Sequence, residues 1–375
     1  MIFQNANVFC ADGTFRRGGF SVEGDRFARV MDSFAGEQGR NLNGSVVIPG
    51  LIDIHTHGAA GVDFSDGDRE GMRRVAAYLG RSGVTSFAPT SMTLPYETLA
   101  SAYQVALEMK RDRDPLSARV AGIHMEGPFF SAEKCGAQDT SFLKDPDIEA
   151  FQNLYDSCEG LIRIADVAPE LPGAREFIRR ASELCKVSVA HTNAGYEDAR
   201  AAFACGASHV THLFNAMPPL HHRNPGVIGA ASERSDVIAE LICDGIHVHE
   251  SVVRAAFKLF PDRICMISDS LSCCGIKEKI FLQNGRKLHI QGGVARLEDG
   301  TIAGAAQNLY QDLLCAVSFG IPMETAVRSC TAIPAREIGC AAEIGSIENG
   351  KYADFLVCAE DLTIREIYIG GARVE

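Results

Sequence analysis

The chain has 375 residues, of which 46% are hydrophobic and 22% are charged, and its formal net charge at pH 7 is −12. These values are typical of a globular protein with one large domain, or with a large and a small one, and the negative charge argues against nucleic acid or an anionic membrane as the main partner. The N-terminus has no basic segment followed by a long apolar one, and the sequence has no uninterrupted apolar run of about 18 residues, so we expect neither a signal peptide nor a membrane span.

Short strands separated by turns that contain Gly and Asp are predicted at both ends of the chain, in residues 1–49 and 344–375. We expect these two segments to pair into one small β-sandwich domain. The 13 cysteines are odd in number and lack paired CxxC motifs, which indicates reduced thiols in a cytoplasmic protein.

Residues 50–343 alternate apolar runs with amphipathic stretches. Eight runs, most of them rich in Val and Ile, are predicted to be strands: SVVIPGLIDIHTHG, VTSFAPTSM, ARVAGIHMEGPF, LIRIADVAPE, CKVSVAHTNA, ASHVTHLFNAM, VIAELICDGIHVH and RICMISDS. Helices are predicted between them from stripes such as Met72, Val75, Ala76 and Leu79. This alternation favours the α/β class and a (β/α)8 barrel of the TIM type. A doubly wound open sheet is the alternative, although no GxGxxG or P-loop motif begins a helix.

Histidine and carboxylate residues cluster at the C-terminal ends of these candidate strands, on the face where barrels carry their active sites. The cluster consists of Asp53, His55, His57, His124, Glu126, His191, His212, His247 and Asp269. Alternate residues of a strand share a face, so His55 projects with His57, and His124 with Glu126. One such histidine is usually a hydrogen-bonded core residue, but burying the whole set without a cation would be costly. The cluster therefore predicts a metal centre, and imidazole with carboxylate suits Zn²⁺ or Fe²⁺.

The motifs HMEGPF, THLFNAMPPLHHRNPG, CDGIHV and IAG, together with the HxH of the first strand, resemble the amidohydrolase superfamily and, within it, the N-acetylglucosamine-6-phosphate deacetylases. The resemblance covers essentially the whole chain. It implies that Glu126, His191 and His212 are the core metal ligands. It further implies that His55 and His57 are the ligands of a second ion in members that bind two, with Glu126 as the bridge. One or two divalent ions per subunit are therefore expected.

The same resemblance implies a catalytic role for Asp269, which would take a proton from a metal-activated water and deliver it to the leaving amine. The implied reaction converts N-acetyl-D-glucosamine 6-phosphate to D-glucosamine 6-phosphate and acetate. His247 would contact this sugar phosphate. Asn215, Ala216 and Arg223 would bind the 6-phosphate, for which the planar fork of arginine is suited. A homodimer is also implied, and His124 is expected to orient the site without binding metal.

Three departures from the family pattern leave the sugar epimer and the acyl group open. Gln138 replaces a histidine in a loop associated with substrate binding, so we expect it to contact the substrate without carrying a positive charge. The aspartate motif continues as SDSLSCCG, and IAGAAQNL lacks the serine that usually follows IAG.

The alternative functions are a deacetylase of a related sugar such as N-acetylgalactosamine 6-phosphate, another amidohydrolase, and a catalytically silent sugar-phosphate binder. Many cyclic-amide hydrolases need a lysine at the end of the fourth strand, where this chain has DVAPE. Deaminases usually carry a glutamate just after the fifth-strand histidine, and AHTNAGYED has none at that spacing. A catalytically silent binder is expected to lack one of the metal ligands or the acid–base residue, and the sequence retains them all.

Overall fold

The computed structural model describes residues 1–32, 34–283 and 286–375. The strands of this part of the chain are β1 (Ile2–Phe9), β2 (Phe15–Glu23), β3 (Arg26–Val30), β4 (Arg40–Asn41), β5 (Val46–Pro49), β6 (Leu51–Thr56), β7 (Gly58–Ala59), β8 (Val62–Asp63), β9 (Val84–Ser91), β10 (Arg119–Val120), β11 (Ile123–Met125), β12 (Ile162–Val167), β13 (Lys186–Val189), β14 (His209–Val210), β15 (Ile238–Ile242), β16 (Ile264–Ile267), β17 (Ile280–Gln283), β18 (Arg286–Gln291), β19 (Val294–Arg296), β20 (Ile302–Ala305), β21 (Phe355–Cys358), β22 (Ile364–Ile369) and β23 (Ala372–Val374). Its α-helices are α1 (Arg69–Arg81), α2 (Tyr96–Arg111), α3 (Ile148–Ser157), α4 (Ala174–Ala181), α5 (Tyr196–Cys205), α6 (Gly226–Ser232), α7 (Glu250–Leu259), α8 (Leu309–Ser318), α9 (Met323–Ser329) and α10 (Ala332–Glu337).

The two ends of the chain form one sheet in the order β23–β22–β21–β5–β1–β2–β3, with β4 against β1. The sheet curls on itself, because the amide of Phe27 in β3 donates to the carbonyl of Lys351, just before β21, at 2.9 Å. Phe3, Phe20 and Phe355 fill the space inside the curl, with ring centroids 4.9–5.1 Å apart. The predicted pairing of the two termini is therefore confirmed. The domain boundaries at residues 1–49 with 344–375, and at 50–343, stay a prediction.

Eight parallel strands form a barrel in the order β6, β9, β11, β12, β13, β14, β15, β16, and β10 adds a short pairing to β9. The ring closes between its first and last strands, where the amide of Asp269 donates to the carbonyl of His55 at 2.9 Å and the amide of His57 donates to the carbonyl of Ser270 at 2.8 Å. Helices α1 to α7 connect successive strands, and α8 to α10 follow the last one. The predicted (β/α)8 barrel is confirmed.

The helices pack as their hydrophobic stripes predict. Helix α1 buries Met72, Val75, Ala76 and Leu79 against the outside of the barrel, and these four side chains belong to the main core. None of the helices in the described ranges has the length and apolar character that a bilayer crossing requires.

A four-stranded antiparallel sheet of β17 to β20 is inserted between the last barrel strand and α8, and the sequence analysis did not predict it. Its last strand lies against the end of the barrel, since the amide of Ala305 donates to the carbonyl of Asp269 at 2.9 Å. Gly304 permits this approach, because a β-carbon there would lie 3.0 Å from the same carbonyl oxygen and 2.8 Å from Cγ of Leu271. The inserted sheet therefore forms a wall over the C-terminal face of the barrel.

Candidate active site

A cluster of buried histidines surrounds one carboxylate at the C-terminal face of the barrel. Glu126 follows β11, and its Oε1 lies 3.1 Å from Nε2 of His191 and 3.2 Å from Nε2 of His212. On its other side, Oε2 lies 3.3 Å from Nε2 of His57, and Oε1 lies 3.5 Å from Nε2 of His55. Two candidate metal-binding groups therefore meet at Glu126: one with His191 and His212, the other with His55 and His57.

Unusual backbone geometry presents three of the candidate side chains. His191, His212 and Asp269 have φ angles of 43°, 30° and 51°, in the left-handed region that residues other than glycine rarely adopt. Each residue lies two positions after the last residue of a barrel strand, where the chain turns away. Such conformations cost about 1–3 kcal/mol each and persist where the surrounding structure imposes them, most often at functional sites.

Hydrogen bonds set the tautomer of three histidines so that Nε2 faces the centre. Nδ1 of His55 donates to Oε2 of Glu240 at 2.9 Å. Nδ1 of His57 donates to the carbonyl of Thr90 at 3.1 Å, and Nδ1 of His191 donates to that of Lys134 at 2.8 Å. With Nδ1–H held in this way, Nε2 is the ring nitrogen directed at Glu126, and it can bind a metal once its proton is released.

The electrostatics of the cluster favour bound cations. Burial would raise the pKa of Glu126, but hydrogen bonds from His191 and His212 and the charge of His55 hold the pKa well below its usual value. Burial would lower the pKa of His57, yet its contacts with Asp269 and Glu126 raise it to about 10. The pKa of His55 is likewise raised well above its usual value, against burial, by the charges of Glu240 and Asp269. The site therefore attracts positive charge, which protons or a divalent ion can supply, so metal binding must release protons.

A divalent metal fits this donor set. Nε2 of His55 is buried without a hydrogen-bond partner in the described part of the chain, although it faces two carboxylates. Four imidazole nitrogens and a shared carboxylate are ligands suited to zinc or ferrous iron.

Asp269 lies at the edge of the same cluster. Its Oδ1 is 3.3 Å from Nε2 of His57 and 3.4 Å from Nε2 of His55. Burial would raise the pKa of Asp269, but the charges of His55 and His57 lower it, so the carboxylate is ionised at neutral pH and can accept a proton. The structure thus brings the predicted acid–base residue to the predicted metal ligands.

Gln138 contacts Glu126 directly. Its Nε2 donates to Oε2 of Glu126 at 2.6 Å, and its Oε1 accepts a hydrogen bond from the amide of Thr93 at 2.8 Å. Both polar atoms of this buried side chain are thus held by hydrogen bonds, and one N–H of its amide group remains for a ligand.

The residues predicted to bind substrate are brought together only in part. A cavity of about 370 Å³ lies above the cluster, and Asn215, Ala216 and His247 line it together with Gln138. Nδ1 of His247 donates to Asp244 at 2.6 Å, while its buried Nε2 has no hydrogen-bond partner among the described residues. Arg223, in contrast, lies on the exposed part of the loop between β14 and α6.

A buried polar layer below the cluster includes residues that the sequence analysis missed. Glu240 in β15 accepts hydrogen bonds from Nδ1 of His55, from Nε2 of His209 at 3.2 Å and from the amide of His212 at 3.2 Å. His124 donates to Asp166 at 2.9 Å, and its other nitrogen lies 3.1 Å from a backbone carbonyl. His124 therefore contacts this buried layer, and with His55 and Glu240 it forms a third group of possible ligands, so its orienting role stays a prediction. A signal for Glu240 existed, since it is a single charged residue within the apolar run IAELI.

The inserted sheet supplies further lining residues, which the sequence analysis also missed. Arg296, Thr301 and Ile302 face the cavity beside Asp269. Arg296 is the cation among them, and its guanidinium donates to the carbonyl of Gly300 at 3.0 Å.

The chain is similar to known proteins in both sequence and fold. Residues 46–374 match the amidohydrolase family. The chain is 34% identical over 325 residues to an N-acetylglucosamine-6-phosphate deacetylase of Bacillus subtilis (strain 168), which covers 85% of this chain and 82% of the relative. It is 30% identical over 328 residues to an N-acetylgalactosamine-6-phosphate deacetylase of Escherichia coli O157:H7, with 87% of each chain covered. The crystal structure of N-acetyl-D-glucosamine-6-phosphate deacetylase from Mycobacterium smegmatis superposes over 100% of both chains, with a TM-score of 0.92 and 31% identity.

Proposed function

The chain belongs to the amidohydrolase family, and we propose that it hydrolyses N-acetyl-D-glucosamine 6-phosphate to D-glucosamine 6-phosphate and acetate. Its similarity to N-acetylglucosamine-6-phosphate deacetylases supports a hydrolase of that type. The observation that carries the proposal is the convergence of four histidines on Glu126, with Asp269 in contact with two of them.

Glu126, His191 and His212 would hold one divalent ion, and His55 and His57 with Glu126 would hold a second. We propose zinc or ferrous iron, because both accept imidazole and carboxylate ligands. When bound, such an ion lowers the pKa of water and polarises an amide carbonyl.

Asp269 would move the proton that the reaction needs. The oxygen of water adds to the carbonyl carbon, and its proton passes to the Asp269 carboxylate. The C–N bond then breaks as the carboxyl of Asp269 returns the proton to nitrogen, so that a neutral amine leaves. The position of Asp269, whose Oδ1 lies 3.3 Å from Nε2 of His57 and 3.4 Å from Nε2 of His55, supports this role because it holds the carboxylate beside the proposed metal ligands.

His247, Gln138, Asn215 and Ala216 would orient the sugar phosphate, because they line the cavity over the cluster. Arg223 would add a cation for the 6-phosphate from its exposed loop. A homodimer is proposed on the family resemblance. A cytoplasmic location is proposed on the 13 free cysteines.

A deacetylase of N-acetylgalactosamine 6-phosphate is the second candidate. The Escherichia coli relative with that name supports it, and Gln138 leaves the sugar epimer open. The two candidates differ in the sugar epimer and share the metal centre and Asp269.

The test is acetate release by the zinc-loaded and the iron-loaded protein. The substrates are N-acetyl-D-glucosamine 6-phosphate, N-acetyl-D-galactosamine 6-phosphate and unphosphorylated N-acetyl-D-glucosamine. We expect the highest kcat/KM with the first. A higher value with the galactose epimer would establish the second candidate. Metal-bound protein that releases acetate from neither phosphate would refute both.

A further inference from the structure

A second cavity of about 500 Å³ adjoins the candidate active site. The two cavities have Met92, Ala137, Gln138 and Ala303 in common as wall residues. The two cavities therefore adjoin at these four residues, and a ligand that passes between them would extend from the metal cluster into the second cavity.

The wall of the second cavity is mainly apolar. Its large side chains are Leu94, Phe142, Leu271, Leu288 and Leu297. The two carboxylates at this wall are engaged by the protein, because Asp66 accepts the amide of Asp63 and Asp139 accepts the amide of Ser141. An apolar group suits such a space, since its transfer from water is favourable and leaves no polar atom unpaired.

The position of the cavity on the barrel indicates which part of a substrate reaches it. Its wall comes from the loops that follow β6, β9, β11 and β16. The proposed sugar-phosphate contacts Asn215, Ala216 and His247 follow β14 and β15, on the opposite side of the metal cluster. The two substituents of a trans amide extend in opposite directions from its C–N bond. A substrate with its carbonyl carbon between Glu126 and Asp269 and its sugar towards β14 would therefore direct its acyl chain towards the second cavity.

We propose that this cavity is an acyl subsite, and that the protein hydrolyses N-acyl hexosamine 6-phosphates whose acyl chain is longer than acetyl, with release of the corresponding carboxylate. This inference rests on the proposed function and extends its substrate class. Pockets of about 300–1,000 Å³ accommodate whole small-molecule ligands, so the cavity is far larger than the methyl group of an acetyl substrate requires.

The test compares kcat/KM of the metal-loaded enzyme for N-acetyl-, N-butanoyl- and N-hexanoyl-D-glucosamine 6-phosphate. Each added methylene that becomes buried predicts a rise of about fourfold. A kcat/KM that falls from acetyl to butanoyl to hexanoyl would overturn the acyl subsite and leave the deacetylase function intact. If all three compounds are inert, the proposed function fails and the subsite with it.

A cavity-filling variant identifies the place where the chain binds. Leu94→Trp should lower the ratio of hexanoyl to acetyl kcat/KM by about tenfold or more, because the larger ring occupies the space of several methylenes. Leu116→Trp is the matched control at a leucine that is 42% exposed, in the turn before β10, and should keep the wild-type ratio. An unchanged ratio in Leu94→Trp would contradict the assignment.

A third arm separates the acyl chain from a substituent on the anomeric oxygen. The hexyl β-glycoside of N-acetyl-D-glucosamine 6-phosphate should have no higher kcat/KM than the methyl β-glycoside. The proposal would be overturned if kcat/KM rose with the hexyl glycoside and not along the acyl series, and if Leu94→Trp abolished that rise. The cavity would then belong to the anomeric substituent.

Discussion

Replacement of Asp269 by asparagine tests the acid–base role most directly. Asn has nearly the same shape as Asp and tolerates the left-handed backbone at this position, where φ is 51°. The main-chain bonds of Asp269 to His55 and Ala305 do not involve the side chain, so the fold should persist. The amide cannot accept a proton from water or return one to the amine. We therefore expect kcat to fall about 10²- to 10⁴-fold, the usual contribution of a general acid or base.

The assay pairs acetate release with metal analysis of the same samples. Metal content should match the wild type, because Glu126, His191 and His212 are unchanged. Asp262→Asn is the control, since Asp262 also has a left-handed φ of 57° but is exposed and paired with Arg328. A metal-loaded Asp269→Asn variant with kcat within about threefold of the wild type would refute the assignment, because loss of the general base would lower kcat much further.

Three further outcomes follow from the buried layer and the exposed loop. Glu240→Gln should weaken metal binding about 10- to 100-fold in a chelator competition, because Glu240 orients His55; unchanged affinity would contradict this support. The pKa of His209 is raised to about 9, since hydrogen bonds to Glu240 and Glu337 outweigh the lowering by burial. The folded pKa exceeds the unfolded value of about 6.5, so this stabilisation is complete below about pH 6.5 and is lost as the pH rises through about 9. The urea midpoint of the metal-free protein should fall over that pH range, and it should fall less in His209→Gln. Equal slopes of midpoint against pH in the two proteins would show that His209 is not the group responsible. Arg223→Ala should raise KM for phosphorylated substrate about 10- to 100-fold and leave hydrolysis of the unphosphorylated sugar unchanged; an unchanged KM would remove Arg223 from the phosphate site.

The barrel and its cluster were predictable because they rest on short-range patterns. Runs of Val and Ile mark the strands, and strand periodicity places His55 beside His57. The parallel strands then bring their C-terminal ends to one face, so residues far apart in sequence, such as Glu126 and His212, meet at 3.2 Å.

The inserted sheet was missed, although one of its turns has a sequence signal. Gly292 and Gly293 join β18 to β19 as a two-residue loop, with φ angles of 62° and 88°, and a turn with positive φ at both residues is the type that favours hairpins. The flanking strands lack a long apolar run, so a search for barrel strands passes over them. The second cavity was missed for the same reason, because Leu288 and Leu297 of this insertion complete its wall.

The contact of Gln138 with Glu126 depends on tertiary structure and could not be predicted from sequence. Gln138 reaches Glu126 only because the loop after β11 folds back over the barrel, at 2.6 Å between Nε2 and Oε2. A glutamine in a loop carries no such information by itself.

The curled terminal sheet has a consequence for how the chain is made. Strand β5 pairs with β21 residue by residue, from Pro49 with Phe355 to Val46 with Cys358, so β5 is synthesised long before its partner strand. At translation rates of about 5–20 residues per second, the delay is roughly 15 to 60 s. During that time the rings of Phe3 and Phe20 lack the cover that Phe355 provides. The segment that contains β1 to β5 is therefore apolar with open strand edges until β21 leaves the ribosome, and chaperones bind surfaces of this kind.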